Sequence, residues 1–218
     1  MSVKISKIEQ MKKIGEELLD LKTSPLYTYR IENNYFPVIG EGSLDAKIMF
    51  VGEAPGRNEA KTGKPFCGTA GKILDELLAS AGIKRTEVYV TNIVKDRPQE
   101  NRDPTQDEIS IYGPLLDKQI EIIKPKVIAT LGRYAMVYVM KKFDLELQLE
   151  PIGQAHGKAY EAKASYGEVK IVVFYHPCAA IYNWKKLPML IEDMQILKGI
   201  KTNGSVSLLS RSNGSVEA

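Results

Sequence analysis

The sequence predicts a three-layer α/β/α domain on a central, four-stranded, mainly parallel sheet. Three observations lead there. Four short runs rich in apolar and β-branched residues, beginning at Ile48, Val88, Lys126 and Val169, read as buried strands. Helical segments separate the first three of these runs, and strands joined through helices pair in parallel by right-handed crossovers. Each run also gives way at its carboxyl end to glycine or polar residues, where open α/β sheets bind their ligands.

Taken in order, residues 3–21 place Ile5, Ile8, Met11, Ile14, Leu18 and Leu21 on one side and lysines and glutamates on the other, an amphipathic helix that packs on the core. Residues 22–45 lose this periodicity and gather Pro25, Pro37, Gly40 and Gly42, so they read as an extended connection. Ile48-Met49-Phe50-Val51 is the first strand and runs into the turn Gly52-Glu53-Ala54-Pro55-Gly56. Pro65 to Gly71 is a loop of small residues carrying Phe66, and a helix over 70–81 stops at Gly82. The second strand covers 88–94. After the polar loop 96–104, Thr105-Gln106-Asp107-Glu108 is a capping box that starts a helix ending near Lys124. The third strand, 126–132, leads into a helix over 133–143. A hairpin region over 145–167 precedes the fourth strand, 169–175, and a helix from Pro188 to about Ile200 closes the fold.

With 218 residues and 44% hydrophobic content, the chain is long enough for one full core, expected over 1–201. Residues 202–218 repeat Asn-Gly-Ser and read as a flexible tail. No apolar run approaches the ~18 residues that span a bilayer, and no signal-peptide pattern precedes the first helix, so no membrane partner and a cytosolic location are expected. A net charge of +3 permits nucleic-acid binding through a local patch without demanding it. Only two cysteines are present, Cys67 and Cys178, too few for a four-thiolate metal centre.

The carboxyl ends of the strands therefore carry the functional information. Glu53 leaves the first, with Phe66 shortly after; Asn92 and the loop with Arg97 and Arg102 leave the second; Gly132 and Arg133 leave the third; His176-Pro177 leaves the fourth. Each has an ordinary structural role open to it, since Asn92 can satisfy a turn, His176 can cap a loop, Phe66 can be core and Arg133 can sit in a solvated ion pair. Their convergence on one edge marks a site.

These residues also carry a resemblance. Gly52-Glu53-Ala54-Pro55-Gly56, Gly63 to Gly71, Val90 to Lys95, Asn101 to Thr105, Pro125 to Arg133 and His176-Pro177 together resemble the uracil-DNA glycosylase superfamily, in particular its family 4 type of archaea and thermophilic bacteria, over about residues 15–200. The resemblance implies that Phe66 stacks on a flipped-out uracil, that Asn92 hydrogen-bonds its polar edge, and that Gly52 and Ala54 line the same pocket. It implies that Glu53 sits at the water and sugar side of the bond to be cut and that His176 faces the leaving base. The implied partner is DNA containing uracil or abasic sites, bound by a monomer in the cytoplasm and nucleoid, with other repair proteins as further partners. Lys64, Arg102, Arg133, Tyr182 and Lys185 are the expected DNA contacts, with Lys61, Arg97 and Lys186 as further cations.

The chain departs from that family in one respect above all. The family 4 pattern holds an iron-sulfur cluster on four cysteines, and the matching positions here are Leu21, Ser24, Asp96 and Tyr112. No cofactor is therefore expected, with Leu21 and Tyr112 filling the space and an Asp96 to Tyr112 hydrogen bond. Near the site, Glu59-Ala60 replaces an acidic pair, Cys67 follows Phe66, and Tyr182 and Trp184 follow His-Pro. Three activities stay open: a monofunctional glycosylase, an abasic-site lyase acting through Lys61 or Lys64, and a non-catalytic damaged-DNA binder. A redox role for Cys67 and Cys178 is a fourth, weaker one.

Overall fold

The computed structural model describes residues 5–198. The expected tail, and the outermost residues of the first and last predicted helices, lie outside them. Helix α1, Lys7–Leu19, opens with Ser6 and Glu9 in a reciprocal capping box and buries Met11, Ile14 and Leu18. The connection read as extended contains a short helix, α2, Tyr27–Glu32, and a two-residue strand, β1, Glu41–Gly42. Strand β2, Ile48–Gly52, is wholly buried. A six-residue helix, α3, Arg57–Thr62, follows the Glu53 turn, and α4 covers Thr69–Ser80. Strand β3, Tyr89–Asn92, ends before the predicted limit because Ile93 and Val94 turn in to donate their N–H groups to the carbonyls of Gly52 and Glu53, both at 3.0 Å.

Helix α5, Gln106–Ile123, starts at the predicted capping box, with Thr105 and Glu108 bonding each other's main chain. Strand β4 is Val127–Leu131 and α6 is Arg133–Lys142. The helical turn α7, Ile152–Ala155, leads to a hairpin of β5, Ala159–Ala164, and β6, Gly167–Phe174. Helices α8, Cys178–Tyr182, and α9, Leu187–Met194, complete the described chain.

The sheet has six strands rather than four, in the order β1-β3-β2-β4-β6-β5. The four predicted strands form its parallel centre, and β1 and β5 add antiparallel borders. β1 escaped prediction because it is only two exposed residues, whereas β5 lies within the expected hairpin region, where its mix of small and charged residues, with Glu161 and Lys163 exposed, hid its bounds. Alternate residues of β2 face opposite layers. Met49 and Val51 join the core beneath α1, α5 and α6, while Ile48 and Phe50 join the core beneath α4 and α9.

Register fixes the site. Gly52 pairs with Asn92 and Leu131 with Phe174, so the carboxyl ends of β2, β3, β4 and β6 share one edge. Because β3 and β4 lie on opposite sides of β2, the connections diverge there and leave a crevice.

Candidate active site

At this edge Gly52 meets Asn92 and Phe66, and Phe66 neighbours His176, with Glu53 and Ala54 next along the chain from Gly52. Gly52 is glycine because nothing larger fits: a Cβ there would lie 2.3 Å from Asn92 Oδ1 and 2.7 Å from Phe66 Cζ. Those distances also show that the amide and the ring meet at Gly52. Gly52→Ala is expected to leave the fold intact while lowering turnover at least 100-fold, since residues on both sides of the new methyl belong to the crevice; circular dichroism and a rate assay on the same preparation check it.

Phe66 is buried and adopts φ 49°, in the left-handed region. Two features hold this uncommon conformation. Glu59 Oε1 accepts the N–H groups of Cys67 at 3.0 Å and Gly68 at 2.9 Å, tying α3 to the loop. The Phe66 carbonyl also lies over Gly71, where a Cβ would be 1.7 Å from its oxygen. The ring is set 5.7 Å from that of His176, tilted by 33°.

Asn92 is buried, and its Oδ1 has no hydrogen-bond partner among the described residues. A buried acceptor left open at the floor of a crevice calls for a ligand donor. Glu53 sits opposite in electrostatic terms: burial, and then the charge of Asp103, push its pKa up to about 7, against the pull of Arg133. His176 is lowered to about 4, mainly by burial, with Glu59 acting the other way, so it is neutral at pH 7. Its Nδ1 accepts the Cys178 N–H at 3.2 Å, which leaves the proton on Nε2. Gly132, at φ 90°, permits the close passage of the His176 segment, whose Cβ would be 3.2 Å from a side chain there.

The expected DNA contacts divide into two groups. Lys64, Tyr182 and Lys185 are exposed, Tyr182 at 88%, and Trp184 stands beside them at 73%. The arginines are engaged by protein. Arg102 forms a two-pronged pair with the buried Glu108 at 2.9 and 2.6 Å, clamping the start of α5. Arg97 turns inward to Asn101, Tyr29 and Tyr35. Arg133 bonds Asp103 at 2.7 Å and lies over the Tyr134 ring, and Tyr134 donates to the same Asp103 oxygen at 2.7 Å. Charge alone could not reveal these partners, some of which lie more than sixty residues away in the chain. Lys61 and Lys64, which follow the Glu53 turn in sequence, are solvent-exposed.

Residues 39–198 match the model of the uracil DNA glycosylase superfamily. The chain belongs to that superfamily. It is 44% identical over 194 residues to the type-4 uracil-DNA glycosylase of Sulfurisphaera tokodaii, covering 88% of this chain and 84% of that one. Against the type-4 enzyme of Archaeoglobus fulgidus it is 42% identical over 188 residues, 86% and 89% of the two chains. The type-4 enzyme of Saccharolobus solfataricus is 43% identical over 198 residues, 89% and 88% of the two.

The residues at the four positions of the family's cysteine pattern do not fit an iron-sulfur cluster. A chain of hydrogen bonds fills the space instead: Leu26 N–H to Ser24 Oγ at 3.1 Å, Ser24 Oγ with Tyr112 Oη at 2.6 Å, and Tyr112 to Asp96 Oδ2 at 2.6 Å. The expected Asp96 to Tyr112 bond is thus present. Arg30, which the sequence did not bring to notice, closes the network: its guanidinium meets both Asp96 oxygens at 3.1 and 3.2 Å and the carbonyls of Leu18 and Leu19 at 3.0 and 2.7 Å. Leu21 packs partly buried against the adjacent core. Oxygen donors already paired with one another and with a cation offer no thiolate to iron.

Proposed function

We propose that the protein hydrolyses the N-glycosidic bond of uracil extruded from DNA, as a monofunctional glycosylase that works without an iron-sulfur cluster. The observation that carries the reading is the open Asn92 Oδ1 at the floor of a crevice roofed by Phe66. Uracil presents a donor at N3 and an acceptor at O4, matching an amide oxygen and an amide NH₂, whereas cytosine presents the reverse pattern. The base must leave the duplex to be read in this way, and Phe66 offers its face for stacking. Gly52 and Ala54 let the ring approach the backbone.

Cleavage of the bond between C1′ and N1 sends its electron pair to uracil and leaves positive character on the sugar. Glu53 as carboxylate stabilises that charge and accepts the proton of the water whose oxygen bonds to C1′. Neutral His176 donates from Nε2 to the departing uracil anion. Neither role needs a charged imidazole, in keeping with its lowered pKa. Lys64 and Lys185 meet phosphates, Arg133 joins them at the margin of the crevice, and exposed Tyr182 fills the gap left by the extruded nucleotide. Arg102 serves this surface by holding its loop. The domain acts as a monomer on uracil-containing DNA in the cytoplasm and nucleoid, with other repair proteins as further partners.

The test is a uracil-containing oligonucleotide incubated with the protein and divided between alkaline and untreated halves. Strand breaks only after alkali are expected. Breaks in the untreated half would make the protein a lyase, and none in either would make it a binder. Metal analysis of the active preparation should find no stoichiometric iron, and an iron-dependent activity would overturn the cluster-free part of the reading.

A further inference from the structure

Lys95 is wholly buried, yet none of the groups it donates to is an acid. Its Nζ donates to Thr91 Oγ1 at 2.7 Å, to the main-chain carbonyl of Asn92 at 2.6 Å and to Gln119 Oε1 at 2.6 Å. Three acceptors match the three N–H bonds of an ammonium, and the distances are those of charge-assisted bonds. Burial works against this charge and holds the pKa well below 10.5. A lysine kept in such a place costs stability unless something is gained from it.

What it touches identifies the gain. Asn92 is the last residue of β3, and after it the chain bends and runs on beside the Glu53 turn through Ile93 and Val94. The Lys95 side chain folds back across this bend and pins the carbonyl where it begins. The other two acceptors are themselves anchored: Thr91 Oγ1 donates to Ile39 O at 2.7 Å, and Gln119 donates to Ile39 O at 2.8 Å and Tyr89 Oη at 3.1 Å. The carbonyl of Lys95 accepts the Val38 N–H at 2.8 Å. Strand β3, helix α5 and the segment at 38–39 thus meet at one nitrogen.

We propose that Lys95 is a positioning residue for the reaction, fixing the backbone of Asn92 so that the open amide is already aimed at the base before it arrives. The inference rests on the assignment of Asn92 as the uracil reader. Without Lys95 the β3 terminus keeps its sheet bonds but loses the brace on its last carbonyl, and the amide samples orientations that do not meet uracil. A Schiff-base role is a different matter: an Nζ enclosed by three acceptors and inaccessible to solvent does not reach a sugar.

The experiment is a double-mutant cycle with K95M and N92A, read in single-turnover excision rate and in affinity for uracil-containing DNA. K95M is expected to slow excision roughly 10–100-fold while changing affinity less than about 3-fold, and to add less than about 2-fold once Asn92 is alanine. Full multiplication of the two effects, equal loss of rate and affinity, or an unchanged rate would each overturn the inference. If N92A itself kept the wild-type rate, the Asn92 assignment would fall and this inference with it; a slow N92A with multiplicative K95M would remove the Lys95 inference alone. Should K95M not fold, Thr91→Val, which removes one acceptor and keeps the lysine, goes into the same cycle, with a loss of rate that vanishes beside N92A expected and a multiplicative loss counting against the inference. Borohydride trapping of wild-type protein on abasic DNA that disappears in K95M would make Lys95 a nucleophile and overturn it as well.

Discussion

Glu53→Gln should slow uracil excision by about 10²–10³-fold, the usual effect of removing one preorganised charged group from a reacting centre. Gln keeps the shape and cannot take a proton, so binding of uracil-containing DNA should stay within a few-fold of wild type. The pH dependence follows from the environment of this carboxyl. Its pKa is raised to about 7, so the ionised fraction and the wild-type rate climb as pH rises through neutrality, then level off. His176 titrates near pH 4 and contributes no limb between 5 and 8. A rate that fell as pH rose from 6 to 8 would contradict the assignment of Glu53 as base.

Stability should move the other way. In the folded state Glu53 holds its proton more tightly than in the unfolded chain, whose carboxyl titrates near the ordinary glutamate value of 4.5. The folded state then binds more protons across pH 4.5 to 7, and the wild type loses stability as pH rises through that window. Glu53→Gln lacks this loss. The variant should melt higher than wild type at pH 8, with the difference closing by pH 5; equal melting temperatures at both pH values would show that burial of this carboxyl has no energetic consequence.

The second large effect concerns the interior network. Arg30 and Asp96 have side chains 3% and 1% exposed, at 3.1 Å. Removing one partner of a buried pair leaves an uncompensated charge, so Asp96→Ala should cost about 3–5 kcal/mol in urea unfolding. Tyr112→Phe removes only a hydroxyl between Ser24 and Asp96 and should cost about 1–3 kcal/mol. That order separates a charge-centred brace from a generic polar filling. If Asp96→Ala cost less than Tyr112→Phe, the Arg30 pair would not be the element that joins α1 to the loop after β3.

Much of this was legible in the residues, for physical reasons. The parallel strands announce themselves because both faces are covered, so their runs are continuously apolar. Helix α5 declares its start through Thr105 and Glu108, a purely local signal. Helix α3 did not, since six residues with Ala60 alone buried show no period. In the site, Glu53, Phe66, Asn92 and His176 stood out because they end strands or open loops. Asp103 and Lys95 did not, and Glu59 showed only as a departure from the family pattern, because what they do depends on partners that only folding brings near. Arg97 and Arg102 read as solvent cations for the same reason: the residues that absorb their charge or donors cannot be seen from sequence distance.

The two antiparallel borders of the sheet have a meaning for the behaviour of the protein at high concentration. A parallel sheet of four bare strands would end in two rows of free amide and carbonyl groups, ready to template another chain. Here one border is a strand of two residues, and the other carries outward Glu161 and Lys163, with Glu161 held at 2.7 Å by Lys170. Neither offers a long, flat, uncharged edge. Strand-by-strand recruitment between molecules is discouraged at both ends.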